Sequence, residues 1–241
     1  MSPPPFTLDG YRDTIRGLAA RGYAIADFTD VSPRSRDLIL RHDIDQSIVR
    51  AHALATLEAS EGWKATYFVL LRTEMYNPWS ANGAQLLRDM LRMGHRIGLH
   101  LDATCYDDRD ALEAGADAEC RSLQDVIGHP VDMISFHRPA RELLGGDRLV
   151  AGRLHTYMDR FTKEIGYSSD SRGEWRYGHP WDHDAVRAGR ALQLLTHAVW
   201  WADQDELSPR SRLVRLLQEN VTRLDTELAS NSDIWKNSRS A

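Results

Sequence analysis

Two cysteines and three lysines in 241 residues are the shortages that first narrow the reading of this chain. Cys105 and Cys120 could form one disulfide at most, which excludes the cross-linked framework of small secreted proteins; both are expected as thiols in a reducing cytoplasm. Arginine takes the place of lysine, yet the formal net charge is −5 and no lysine-rich tract offsets it, so no nucleic-acid partner is expected. No apolar stretch approaches the roughly 20 residues that a membrane span requires, so no integral membrane segment is expected. The opening Met1-Ser2-Pro3-Pro4-Pro5-Phe6 has neither a basic start nor an apolar stretch, so no secretory leader is expected and the expected location is cytoplasmic. Internal repeats, low-complexity tracts and linkers are also missing. What remains is long enough to bury one large core, and a single α/β domain over 1–241 is expected.

Helical and extended signals alternate along the chain. Leu8 to Ala20 reads as a helix with Tyr11, Ile15, Leu18 and Ala19 on one side. Asp37 to Asp43 reads as the first strand. Ser47 is placed to cap a helix running to Glu61, with Gly62 as its left-handed stop. Ala65 to Leu71 is continuously apolar, as a parallel strand covered on both faces should be. A helix over 84–92 precedes an alternating strand, Arg96 to Asp102, with Gly98, His100 and Asp102 on one face. A long helix over 108–126 leads to a strand from Val131 to Phe136. Between 140 and 190 the pattern gives one helix, Arg153 to Phe161, and a polar loop rich in Ser, Gly and Trp. Ala191 to Thr196 is the last strand. Ser208 and Pro209 open a final helix whose Leu213, Leu217, Val221, Leu224 and Leu228 form one stripe. Such alternation implies a parallel sheet with right-handed crossovers, open or rolled, and reactive groups at the C-terminal strand ends.

The chemistry-bearing residues share that address. His42-Asp43-Ile44-Asp45 follows an apolar run, and period-2 alternation sends Asp43 and Asp45 the same way. One carboxylate can then hold a metal ion while the other reaches a water beside it. Carboxylates at a buried strand end need counter-charge, and His100, His137 and His197 each follow a further apolar run. His42 should point away from Asp43 and is expected to be structural. The pattern reads as a metal-dependent hydrolase.

Taken in order, Arg41-His42-Asp43-Ile44-Asp45, Gly94 to His100, Ser135-Phe136-His137-Arg138-Pro139, Ser169 to Trp175 and Leu194-Leu195-Thr196-His197 resemble the motifs of the polysaccharide deacetylase (NodB-homology) superfamily. Over residues 36 to 201 the chain looks most like the divergent WbmS-like branch found among surface-polysaccharide and O-antigen biosynthesis proteins. The resemblance implies a distorted (β/α) barrel of seven parallel strands, one divalent metal such as zinc, and removal of an N-acetyl or N-formyl group from an amino sugar. Carried over by position, Asp43 matches the catalytic base, Asp45 the metal aspartate and His100 a metal histidine. Arg138 resembles the arginine that steadies the base, and His197 the acid that protonates the leaving group. Asp170 and Trp175 resemble residues lining the substrate groove. Where the family has a second metal histidine this chain has Thr104, so His137, or else Asp102, is expected as third ligand. The expected substrate is a small or lipid-linked sugar precursor. The alternatives are an amidohydrolase of the same fold acting on a non-sugar amide or cyclic imide, and a catalytically silent carbohydrate-binding relative.

Overall fold

The computed structural model describes residues 3–238. Helix α1 (Leu8–Ala19) is capped by Thr7, whose hydroxyl accepts a hydrogen bond from the Gly10 amide, and buries Tyr11, Ile15 and Leu18. Strict alternation follows a short β1 (Ala24–Ile25): β2 (Asp37–Ile44), α2 (Ile48–Ser60), β3 (Thr66–Leu70), α3 (Ala81–Arg92), β4 (Arg96–Asp102), α4 (Arg109–Ile127) and β5 (Met133–His137). Ser47 caps α2 through the Arg50 amide, and Gly62 turns the chain out of it at φ 76°, as its sequence predicts. The remaining elements are β6 (Leu154–His155), α5 (Asp159–Thr162), β7 (Gly166–Ser169), α6 (Asp184–Arg187), β8 (Leu192–Thr196), α7 (Pro209–Asn231) and α8 (Asp233–Ser238).

The strands pair in the order β6-β5-β4-β3-β2-β8-β7, every pairing parallel, with β1 joined to the N-terminal end of β2. These seven strands curl into a half-barrel of the expected (β/α) type, and its end strands β6 and β7 do not pair with each other. Alternation along the strands divides the interior. Leu38, Leu40 and Ile44 of β2, Ile97, Leu99 and Leu101 of β4, and Ile134 and Phe136 of β5 pack outward beneath the helices. Ile39, Phe68 and Met133 point into the curl, where Phe28, Met158 and Phe161 join them as an apolar plug. Gly98 makes room for that plug: a Cβ there would lie 2.5 Å from the Phe68 ring and 2.9 Å from the Met133 carbonyl oxygen. Above the plug the inward positions turn polar.

One expectation is corrected. The helix read from Arg153 to Phe161 is instead β6, a turn and the single helical turn α5. Leu154 and His155 complete the sheet edge against Met133 and Ile134, and that pairing overrides the helical spacing of Leu154, Met158 and Phe161. All three side chains still reach the same apolar plug. The final helix and its single apolar stripe are where they were expected; α7 buries Arg212 and Leu216 and leaves the stripe outside.

Candidate active site

Register sets the level of the site. Asp43 pairs with Phe68, Leu70 with His100, His100 with Ser135 and Asp102 with His137, so the C-terminal ends of β2, β4 and β5 meet at one rim. Asp43 lies inside β2 and Asp45 just beyond its end, where the chain bends toward Ser47.

Three side chains converge at this rim. The Asp45 Oδ1 atom lies 3.0 Å from His100 Nε2 and 3.3 Å from His137 Nδ1, and the two imidazole nitrogens are 3.2 Å apart. Although buried, Asp45 Oδ1 has no well-directed hydrogen bond. Burial pushes the Asp45 carboxyl up, but the imidazoles of His100 and His137 overcome this and hold it well below the usual carboxylate range. Ligands about 2.0–2.1 Å from a tetrahedral cation stand roughly 3.3 Å from one another, so this spacing fits a zinc-like ion with one position left open. The donor set, one carboxylate oxygen and two imidazole nitrogens, fits as well.

The hydrogen-bond chain behind His100 fixes its tautomer. Ser135 Oγ has a single proton, which it donates to Asp43 Oδ2 at 3.1 Å. It therefore accepts from Arg41 Nη2 at 2.6 Å and from His100 Nδ1 at 3.1 Å. When neutral, His100 keeps its proton on Nδ1 and presents the lone pair of Nε2 to the cluster, as a metal ligand must. His137 is set the other way. Arg138 Nε donates to His137 Nε2 at 2.9 Å, so the neutral ring carries its proton on Nδ1, facing Asp45. Coordination through Nδ1 requires Arg138 to release that ring. Arg138 holds a left-handed φ of 49° at the exposed start of the loop after β5.

Asp43 is held by Arg41, two residues earlier on the same face of β2. The pair is bidentate, with Arg41 Nε 3.0 Å from Oδ1 and Nη2 2.7 Å from Oδ2, and both side chains are almost wholly buried. Tyr157 and Gln193 accept the guanidinium's other bonds at 3.1 and 3.2 Å. Burial raises the Asp43 pKa, and the Arg41 charge more than reverses that, leaving it lowered. The expected Arg138–Asp43 pairing is thus corrected. Arg138 serves His137, and the arginine that holds Asp43 is Arg41, which faces inward between Ile39 and Asp43.

On the far side, His197 ends β8. Its Nδ1 lies 2.6 Å from Asp170 Oδ1, and its Nε2 faces Asp45 Oδ2 at 3.9 Å. Asp170 Oδ2 also accepts from the His197 amide and from Trp201 Nε1, at 2.9 and 2.7 Å. Burial alone would lower the His197 pKa, but Asp170 first, then Asp45 and Asp43, raise it to about 9. His197 therefore carries a proton on Nε2 at neutral pH, directed at the rim.

Asp170 does not line a groove, as expected of it; it is fully buried and orients His197. Trp175 is half-buried in an aromatic wall, with ring centres 5.8–5.9 Å from those of Phe6, Trp201 and His179. The Asp102 alternative is also resolved by geometry. Its Oδ1 accepts from the Thr104 amide and hydroxyl, at 3.1 and 2.6 Å, and Asp102 is not among the converging ligand atoms. His42 faces outward as expected, bonded to Glu58 and Thr196 at 2.8 and 2.7 Å.

No family profile and no curated protein matches the chain. Solved structures do. A family 4 carbohydrate esterase from Bacillus anthracis is 17% identical, with 87% of this chain and 86% of that one covered and a TM-score of 0.45. The chitin deacetylase of Colletotrichum lindemuthianum is 16% identical over 76% and 81% of the two chains, TM-score 0.45. A family 4 acetyl xylan esterase from Clostridium thermocellum, solved with a cobalt ion, is 14% identical over 77% and 84%, TM-score 0.40. At such identities and scores, the roles of the residues rest on their own geometry.

Proposed function

We propose that this protein is a metal-dependent amidohydrolase that removes an N-acyl group, acetyl or formyl, from an amino sugar. The order of its motifs, which resembles that of the polysaccharide deacetylases, supports the sugar and a place in surface-polysaccharide (O-antigen) synthesis. Its two unpaired cysteines suit a cytoplasmic precursor carried on a nucleotide or lipid. Among the described residues, no helix is long and apolar enough to cross a membrane.

One observation carries the reading. The orphaned Asp45 Oδ1 and two imidazole nitrogens meet within 3.3 Å, flanked by a salt-bridged carboxylate on one side and a protonated histidine on the other. Asp45, His100 and His137 would hold the ion, which when bound supplies Lewis acidity, polarising the amide carbonyl and acidifying water. Asp43 accepts the proton of the attacking water. Its low pKa keeps it ionised across the physiological range, and Arg41 fixes where its free lone pair points. His197 donates from Nε2 to the departing nitrogen, a step without which an amine is a poor leaving group. Asp170 stabilises the charged ring until then.

The test is hydrolysis of N-acetyl and N-formyl amino sugars, free and nucleotide-linked, with Asp43→Asn as control. The variant should keep its metal and lose turnover by a factor of about 10²–10⁴; retained activity would remove Asp43 as the base. One contact, Arg138 on His137, favours binding without turnover. Metal binding measured directly separates that reading from the enzyme.

A further inference from the structure

The stripe on α7 is large and nearly bare. Leu213, Val214, Leu217, Val221, Leu224 and Leu228 are each between 39% and 66% exposed on a helix whose opposite side is tied down. Arg212 and Arg215 bond Asp203, and Glu219 bonds Arg50. At its end α8 adds Ile234 and Trp235, 87% and 43% exposed. Together these side chains offer roughly 800 Å² of apolar surface, above the 300–600 Å² of a typical monomer's largest patch and close to one partner's share of a standard interface.

The spacing of the leucines points to the occupant. Leu213, Leu217, Leu224 and Leu228 are separated by four, seven and four residues, so these four leucines read the same in either direction about a midpoint between Asn220 and Val221, while Val214 and Val221 flank them. A two-fold axis through that midpoint, with the helices antiparallel, sets Leu213 on the partner's Leu228 and Leu217 on the partner's Leu224. Such a contact is self-complementary, the condition for a closed two-fold dimer. A lipid surface fits less well. Helices that lie on membranes carry a basic polar face, whereas α7 balances Arg210, Arg212, Arg215 and Arg223 with Glu219, Asp225 and Glu227. We propose that the α7 stripe pairs antiparallel with α7 of a second copy of this chain. This inference stands apart from the reading of the active site.

The experiment is light scattering and sedimentation on the full chain across concentration. At about 10 µM the wild type should weigh close to twice its 27.4 kDa. Leu217→Glu and Leu224→Arg are both at positions more than half exposed, so each variant should fold, checked by circular dichroism. Each alone should weaken association about a hundredfold or more, by burying unpaired charge at two symmetry-related places. The double variant Leu217→Glu/Leu224→Arg should regain the dimer, since each glutamate then meets an arginine of the other copy. A wild type monomeric at about 100 µM, a dimer indifferent to Leu217→Glu, or a double variant as monomeric as the singles would each overturn the proposal. So would a monomer whose stripe instead binds anionic phospholipid vesicles.

Discussion

Arg41→Met is the sharpest perturbation of this site that needs neither metal nor substrate. In the wild type the Arg41–Asp43 pair is bidentate and both side chains are almost fully buried. Removing the guanidinium leaves Asp43 3% exposed, with the Ser135 hydroxyl as its remaining side-chain donor in the hydrogen-bond network described above. Stranding one member of a buried pair costs about 3–5 kcal/mol, a fifth or more of the roughly 5–15 kcal/mol that a domain of ordinary stability has. The double variant Arg41→Met/Asp43→Asn carries no stranded charge and should recover about 1–3 kcal/mol of that loss. The sign of the pH dependence follows from the same balance. Arg41 is the largest of the influences, with His100 and His197, that hold the Asp43 pKa below its ordinary value against burial, and removing it should let the pKa rise. The penalty of Arg41→Met should therefore be small near pH 4, where the stranded carboxyl can take a proton, and grow as the pH rises. Urea unfolding followed by tryptophan fluorescence, in chelator, measures all three proteins. A double variant no more stable than Arg41→Met, or a single variant within about 1 kcal/mol of wild type at pH 7, would refute the assignment of Arg41 as the partner of Asp43.

Two other outcomes follow from the hydrogen bonds at the rim. Arg138→Leu should tighten zinc binding about fivefold, since the ring of His137 no longer has to be released from an exposed charged donor worth about 1 kcal/mol; titration calorimetry on wild type and variant reads this, and weaker binding would show that Arg138 does not compete. In metal-free protein, the raised His197 pKa stabilises the fold fully below about pH 6.5 and loses that contribution as the pH rises through about 9. The stability gap between wild type and His197→Gln should thus be widest below pH 6.5 and close above 9; a gap that widened upward would reverse the sign of the Asp170–His197 coupling.

Much of this architecture was legible in the chain. Strands β2 to β5 and β8 are apolar runs bounded by caps and glycines, and alternation in Arg96 to Asp102 already sends His100 inward. Segments 140–190 were not legible, because β6 and β7 are two and four residues long and exist through what they pair with rather than through their own pattern. Leu154, Met158 and Phe161 mimic a helix while serving an apolar plug. At the site, the rim histidines and aspartates could be read from strand ends, since position along a strand fixes level and face. Which arginine meets Asp43 could not be read from the motif containing Arg138: left-handed backbone at Arg138 swings it onto His137, and the partner is instead Arg41, two residues before Asp43 on the same strand face. Asp170 was expected to line the groove because nothing in its neighbours announces that it will be buried against Trp201 and His197.

Zinc binding by the purified chain, before and after Asp45→Ala and His137→Ala, bears on the whole account. One ion per chain in the wild type is expected, with occupancy lost in Asp45→Ala and strongly lowered in His137→Ala, while both variants unfold cooperatively as the parent does. Wild-type protein that takes up no stoichiometric ion from a zinc, cobalt or manganese series, or that binds one equally well without Asp45, would contradict it.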